Sequence, residues 1–85
     1  MSIINLRILY FAAARERAQC QEEQVTLAPP HTLNRLKQML YQRHVELSSL
    51  DDYLRWAINQ RFSESDDLIL KEGDEVALIP PISGG

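Results

Sequence analysis

One amphipathic run, set among segments of a different period, constrains the fold more than any other feature. After Thr32, a residue suited to cap a helix, Leu33, Leu36, Leu40 and Leu47 recur at helical spacing, while Asn34, Arg35, Lys37, Gln38 and Arg43 take the opposite side. This spacing predicts a single main helix over about 32–45. Its neighbours carry a period of two. Ile4, Leu6, Ile8 and Tyr10 oppose Asn5 and Arg7, which predicts a first strand over residues 3–11, and Leu9 and Phe11 make its second face apolar as well. A second strand is expected over Glu22 to Leu27 with Val25 and Leu27 inward, broken by Pro29 and Pro30.

The second half reads as short pairings. Arg55 to Asn59 forms a short strand carrying Trp56 and Ile58, and Phe62 begins another. Glu75 to Ile79 forms the last strand, entered through a tight turn at Glu72-Gly73-Asp74 where glycine takes φ > 0. Ala12 to Ala18 is alanine-rich without a hydrophobic stripe, which predicts one or two exposed helical turns, and Ser48 to Asp52 reads as a loop or short turn. Eighty-five residues make one domain with one small core. A single helix on one face of a mixed sheet buries all these apolar faces together. A hairpin followed by a helical crossover sets the first and last strands side by side at the centre. The expected fold is therefore α+β, a β-grasp or ubiquitin-like domain over residues 1–81, with 82–85 as an extended reactive tail.

The tail suggests chemistry. The chain finishes Ser83-Gly84-Gly85, which uses two of its three glycines. Without a Cβ, such a pair lies extended in a channel too narrow for side chains and leaves the last carboxylate open to attack. That carboxylate, with a pKa of roughly 3.3–3.7, is an anion near neutrality and a poor electrophile, so activation as an acyl-adenylate by a separate ATP-using enzyme is expected. Pro80 and Pro81 end the last strand and project the tail away from the body, and Ile82 to Gly85 would reach about 13–14 Å further at ~3.3–3.6 Å per residue.

Composition removes several other classes. A net charge of −3 argues against nucleic acid and favours a basic protein partner. No apolar run approaches the ~20 residues that span a bilayer, and the N-terminus lacks a signal peptide's basic and apolar regions, so a cytoplasmic protein without membrane contact is expected. A lone cysteine, Cys20, fits a reducing compartment.

Four segments in order carry a family likeness: Ile8-Leu9-Tyr10-Phe11-Ala12 with Ala14-Arg15-Glu16, then Ala57-Ile58-Asn59-Gln60, then Gly73-Asp74-Glu75-Val76-Ala77, then Pro80-Pro81-Ile82-Ser83-Gly84-Gly85. Together they resemble the molybdopterin synthase small-subunit family across the whole chain. Trp56, where smaller aliphatic residues are usual, departs from it. The resemblance implies a sulfur carrier with no turnover of its own in a heterotetrameric synthase. Gly85 would be adenylated and then thiocarboxylated by a ubiquitin-activating-like enzyme, with ATP consumed there and no cofactor bound by the carrier. It would donate sulfur to a cyclic pterin precursor inside the large subunit, making the dithiolene of molybdopterin.

Gly84, Ser83 and Ile82 would give the tail access, and Phe11, Phe62, Ile79, Pro80 and Pro81 would form an apolar docking patch beside it. Phe11 and Phe62 have a plainer alternative, which is to complete the core. Two other functions remain open: a sulfur carrier for the thiazole of thiamine, whose members are shorter and lack the Pro-Pro-Ile-Ser run, and a ubiquitin-like modifier joined through Gly85 to lysines. The remaining polar residues point to no site. Cys20 has no His or Lys nearby in sequence, His31 and His44 lack metal-ligand spacing, Asp51-Asp52 and Asp66-Asp67 read as solvated pairs, and Arg15 and Glu16 as paired or wet. No metal is expected.

Overall fold

A computed structural model describes residues 2–81. The elements are β1 (Ile4–Tyr10), α1 (Ala12–Ala18), β2 (Glu22–Leu27), α2 (Leu33–Arg43), a 3-10 helix (Val45–Leu50), β3 (Arg55–Ile58), β4 (Arg61–Ser63) and β5 (Glu75–Ile79). The strands form one sheet in the order β2-β1-β5-β3-β4, with β1 and β5 parallel and every other pair antiparallel. The first and last strands are thus neighbours at the centre, as the crossover required. Both expected period-two strands keep their faces: Ile4, Leu6, Ile8 and Tyr10 of β1, and Val25 and Leu27 of β2, are buried.

The main helix packs its Leu33, Leu36 and Leu40 stripe on that face, and the Thr32 hydroxyl caps it by accepting from the Arg35 N–H at 3.2 Å. It stops at Arg43, earlier than the leucine spacing implied. The His44 backbone leaves the helical region (φ −125°, ψ 85°), and the chain resumes as the 3-10 helix where a loop or short turn was expected. Leu47 is nonetheless fully buried, because the tighter helix carries it back over the core. A second correction concerns α1. Its Ala14 and Ala18 are buried, so the helix is not simply exposed; a stripe of methyl groups is too weak a hydropathy signal to read, yet it lets the helix backbone sit close. Trp56 fits the core at 2 % exposure, with Lys37 Nζ 5.2 Å from its ring centroid and Tyr41 edge-on at 6.3 Å. Its indole N–H has no hydrogen-bond partner among the described residues.

Two turns fix the sheet register. Asn59 and Gln60 both have positive φ (51° and 71°), which suits the two-residue hairpin between β3 and β4, and the Asn59 side chain holds the turn to β5 by accepting from the Glu75 N–H at 3.0 Å. Gly73 sits at φ +83° before β5, donating its N–H to the Asn5 carbonyl at 2.8 Å. A Cβ there would meet nothing within 4 Å, so the cost of a side chain is conformational alone. Gly73→Ala should lower stability by about 1–2 kcal/mol without altering the fold, measured by urea unfolding.

Candidate functional site

Parallel pairing of β5 with β1 brings both C-terminal ends to one side of the molecule. Leu9 lies opposite Ala77 and Tyr10 opposite Leu78, and the Phe11 N–H donates to the Leu78 carbonyl at 3.2 Å. Ile79, Pro80 and Pro81 therefore leave the sheet beside Phe11. Phe11, Ala12, Ala13, Glu16, Leu50, Tyr53, Ile79, Pro80 and Pro81 line a groove of about 650 Å³ there. Phe11 is 46 % and Tyr53 62 % exposed, while Pro80 is buried and anchors the departing chain. The groove thus gathers four of the five residues expected to form a docking patch. Phe62, the fifth, is exposed on β4 and borders a separate groove with Ile58, Arg61 and Leu68.

Phe62 nevertheless shares the sheet's outer face with the others. Leu9, Ala77, Ala57 and Phe62 lie in register across β1, β5, β3 and β4. Ile79 pairs with Arg55, whose guanidinium stacks 3.8 Å from the Phe62 ring centroid. Neither exposed phenylalanine completes the core. Leu50 and Tyr53 were not anticipated in the patch. The only cue was an aromatic ring just after Asp51-Asp52, and their position follows from the 3-10 helix that the sequence did not announce. Ile82, Ser83, Gly84 and Gly85, expected to carry the chemistry, lie outside the described residues.

The other polar candidates resolve into structural roles or a new cluster. The two acidic pairs are not merely solvated: Asp51 accepts from the Tyr41 hydroxyl at 2.6 Å, and Asp66 pairs with Lys37 at 2.6 Å. His31 Nε2 lies 2.8 Å from the Ser2 carbonyl oxygen. Cys20, which has no His or Lys near it in sequence, comes together with Glu23 and His44. Glu23 is the hub: its carboxylate accepts from the Tyr10 hydroxyl (2.5 Å) and Arg43 (3.0 Å), and lies 2.6 Å from His44 Nε2. Burial and the neighbouring Glu23 charge push the Cys20 thiol up, so Cys20 is not an activated nucleophile.

Burial alone would raise the Glu23 pKa, but hydrogen bonds from Tyr10, His44 and Arg43 outweigh it and hold the carboxyl below its ordinary value. A depressed folded-state value means stability that is present above the unfolded value, about 4.3, and lost as pH falls through it toward the folded one. Glu23→Gln should therefore be less stable than the parent at neutral pH and show a shallower decline on the acid side, read from urea midpoints across pH. No helix among the described residues is long and apolar enough to cross a membrane.

Comparison with known proteins adds the last observations. Residues 8–85 match the ThiS family. A molybdopterin synthase sulfur carrier subunit from Drosophila ananassae is 38% identical over 85 residues, covering 98% of this chain and 93% of that protein. Among solved structures, a protein assigned as subunit 1 of molybdopterin converting factor from Pyrococcus furiosus superposes with a TM-score of 0.84 at 28% identity, covering 93% of this chain and 99% of its own. Small archaeal modifier protein 1 from Haloferax volcanii gives 0.83 at 26%, covering 95% and 99%. The sheet, its single long helix and these neighbours make the fold a ubiquitin-like β-grasp.

Proposed function

The chain belongs to the ThiS family, and from that premise we propose that it is the sulfur carrier subunit of a molybdopterin synthase. Identity of 38% across nearly the whole length of a protein with that role carries the reading. The geometry supports it. A rigid central strand, β5, ends in two prolines at the rim of an apolar groove, so a four-residue tail starts from a fixed point next to a surface suited to a protein partner.

The chemistry belongs to Gly85. Its carboxylate attacks the α-phosphate of ATP in the activating enzyme, releasing pyrophosphate and leaving an acyl-adenylate. A sulfur nucleophile then displaces AMP, and the terminus becomes a thiocarboxylate. In the large subunit this sulfur attacks a carbon of the pterin precursor and displaces an oxygen leaving group, water cleaves the acyl–sulfur bond to restore a plain carboxylate, and two such deliveries make one dithiolene. The carrier is a tethered reagent, and the partner supplies the pocket, acid and base. The groove and outer sheet face dock the large subunit and the adenylating enzyme in turn, and the chain's net charge of −3 suits basic surfaces on them. The cycle consumes ATP, which is in keeping with a cytoplasmic protein.

A protein-modifier role has one observation in its favour, the likeness to small archaeal modifier protein 1. The two readings part on their products. With ATP, the activating enzyme and a sulfur donor, the chain should gain the oxygen-to-sulfur mass difference at Gly85, and this form with the large subunit should yield a dithiolene pterin. Broad isopeptide conjugation of Gly85 to lysines, without thiocarboxylate or pterin product, would overturn the carrier reading.

A further inference from the structure

We propose that Cys20, Glu23 and His44 form a binding site for one divalent metal ion of zinc-like softness. They are the only group of three such residues brought together among those described, and their ligand atoms all lie within 4.8 Å of one another. The three come from different elements: the turn after α1, strand β2, and the C-cap of α2. A cation there would clasp the ends of the two helices to the edge strand.

The donor set suits zinc. One thiolate, one carboxylate and one neutral imidazole supply two negative charges against the ion's two positive ones, and zinc takes Cys, His and carboxylate ligands together with a water in open four-coordinate sites. Water has access, because the side chains of Glu23 and His44 keep 18% and 16% of their exposure and Cys20 is half-buried. With bonds of about 2.0–2.3 Å, tetrahedral geometry sets donor atoms about 3.3–3.7 Å apart. His44 Nε2 and Glu23 Oε2, at 2.6 Å, share a proton and must open by under about 1 Å to share a metal, and with every donor pair within 4.8 Å no separation needs to close by more than about 1.5 Å.

Outer partners already orient the ligands. The fully buried Tyr10 donates its hydroxyl to Glu23 Oε2 at 2.5 Å, and Arg43 donates to Oε1 at 3.0 Å, so the carboxylate is aimed before a metal arrives. The Arg43 charge opposes a cation, but its bond goes to the oxygen that does not face His44, and its side chain is 46% exposed and free to solvate. The site is independent of the tail chemistry.

The test is titration of the tag-free full chain, ending in an ordinary carboxylate, with cobalt(II) and then zinc(II). One equivalent of cobalt should give visible bands of a tetrahedral centre and a sulfur-to-cobalt charge-transfer band in the near ultraviolet, both erased by one equivalent of zinc. Cys20→Ser should remove the charge-transfer band, and His44→Gln should weaken binding by more than the roughly 10–100-fold that loss of an outer partner costs. His31→Gln should change nothing. Circular dichroism of each metal-free variant separates loss of ligation from loss of fold. Absence of a charge-transfer band in the parent, or its survival in folded Cys20→Ser, would overturn the proposal. Sulfur-transfer activity is not among the readouts, so failure here leaves the carrier reading intact.

Discussion

A chain extended by a single residue after Gly85, or lacking Gly85, should fold normally and lose sulfur transfer altogether. Extension converts the Gly85 carboxyl into an amide and moves the free carboxylate about 3.3–3.6 Å further along the chain. A reaction that depends on holding a terminal carbonyl in line with a phosphate, and later a sulfur against a pterin, tolerates no such displacement; misplacement by 1 Å already costs about 100-fold. Stability should not change, because the core formed among the described residues runs from Ile4 to Leu78 and is anchored well before the terminus. Mass spectrometry after incubation with the activating enzyme, ATP and a sulfur donor reads the first half of the claim, and thermal melting the second. Thiocarboxylate on the extended terminus, followed by normal pterin conversion, would refute the assignment of Gly85.

How far the sequence discloses such a molecule depends on which interactions set each element. Strand β5 was legible to the residue, since a positive-φ glycine fixes its start and two prolines its end. Strand β2 and the core faces of β1 and α2 were equally plain, because large aliphatic side chains at strict periods have only one way to be buried. Tertiary packing determined the rest. Alanines in α1 gain burial from what they pack against, and Leu47, although in phase with the leucines of α2, is buried from a separate 3-10 helix. The groove suffered the same way: Phe11, Ile79, Pro80 and Pro81 are read from strand ends, but Leu50 and Tyr53 join them through a 3-10 helix without a helical stripe. His44 lies 24 residues from Cys20 and 21 from Glu23, so only the crossover connection that returns α2 over β2 brings it to them.

The same strand-end geometry yields a prediction in which binding and stability move apart. Phe11 occupies the N-cap position of α1 with extended backbone angles (φ −117°, ψ 148°) and no side-chain cap. Aspartate is among the preferred residues at that position, where its carboxylate accepts from a free N–H of the first turn and complements the helix dipole. Phe11 is also 46% exposed, so its ring contributes little core contact. Phe11→Asp should therefore keep stability unchanged or raise it by up to about 1 kcal/mol. Its effect on docking should be opposite and larger. A carboxylate in the groove formed with Ile79, Tyr53 and Pro81 would be stripped of water by an apolar partner surface, and truncation of an aromatic hot spot alone costs about 2–4 kcal/mol, or roughly 30- to 1,000-fold in affinity. Ile79→Asp, half-buried on β5, should weaken docking similarly but also lower the melting temperature. Calorimetric titration against the large subunit, paired with thermal melts of the free chain, measures both axes. Full-strength binding by a well-folded Phe11→Asp would remove the groove from the interface, and collapse of that variant would return Phe11 to the core.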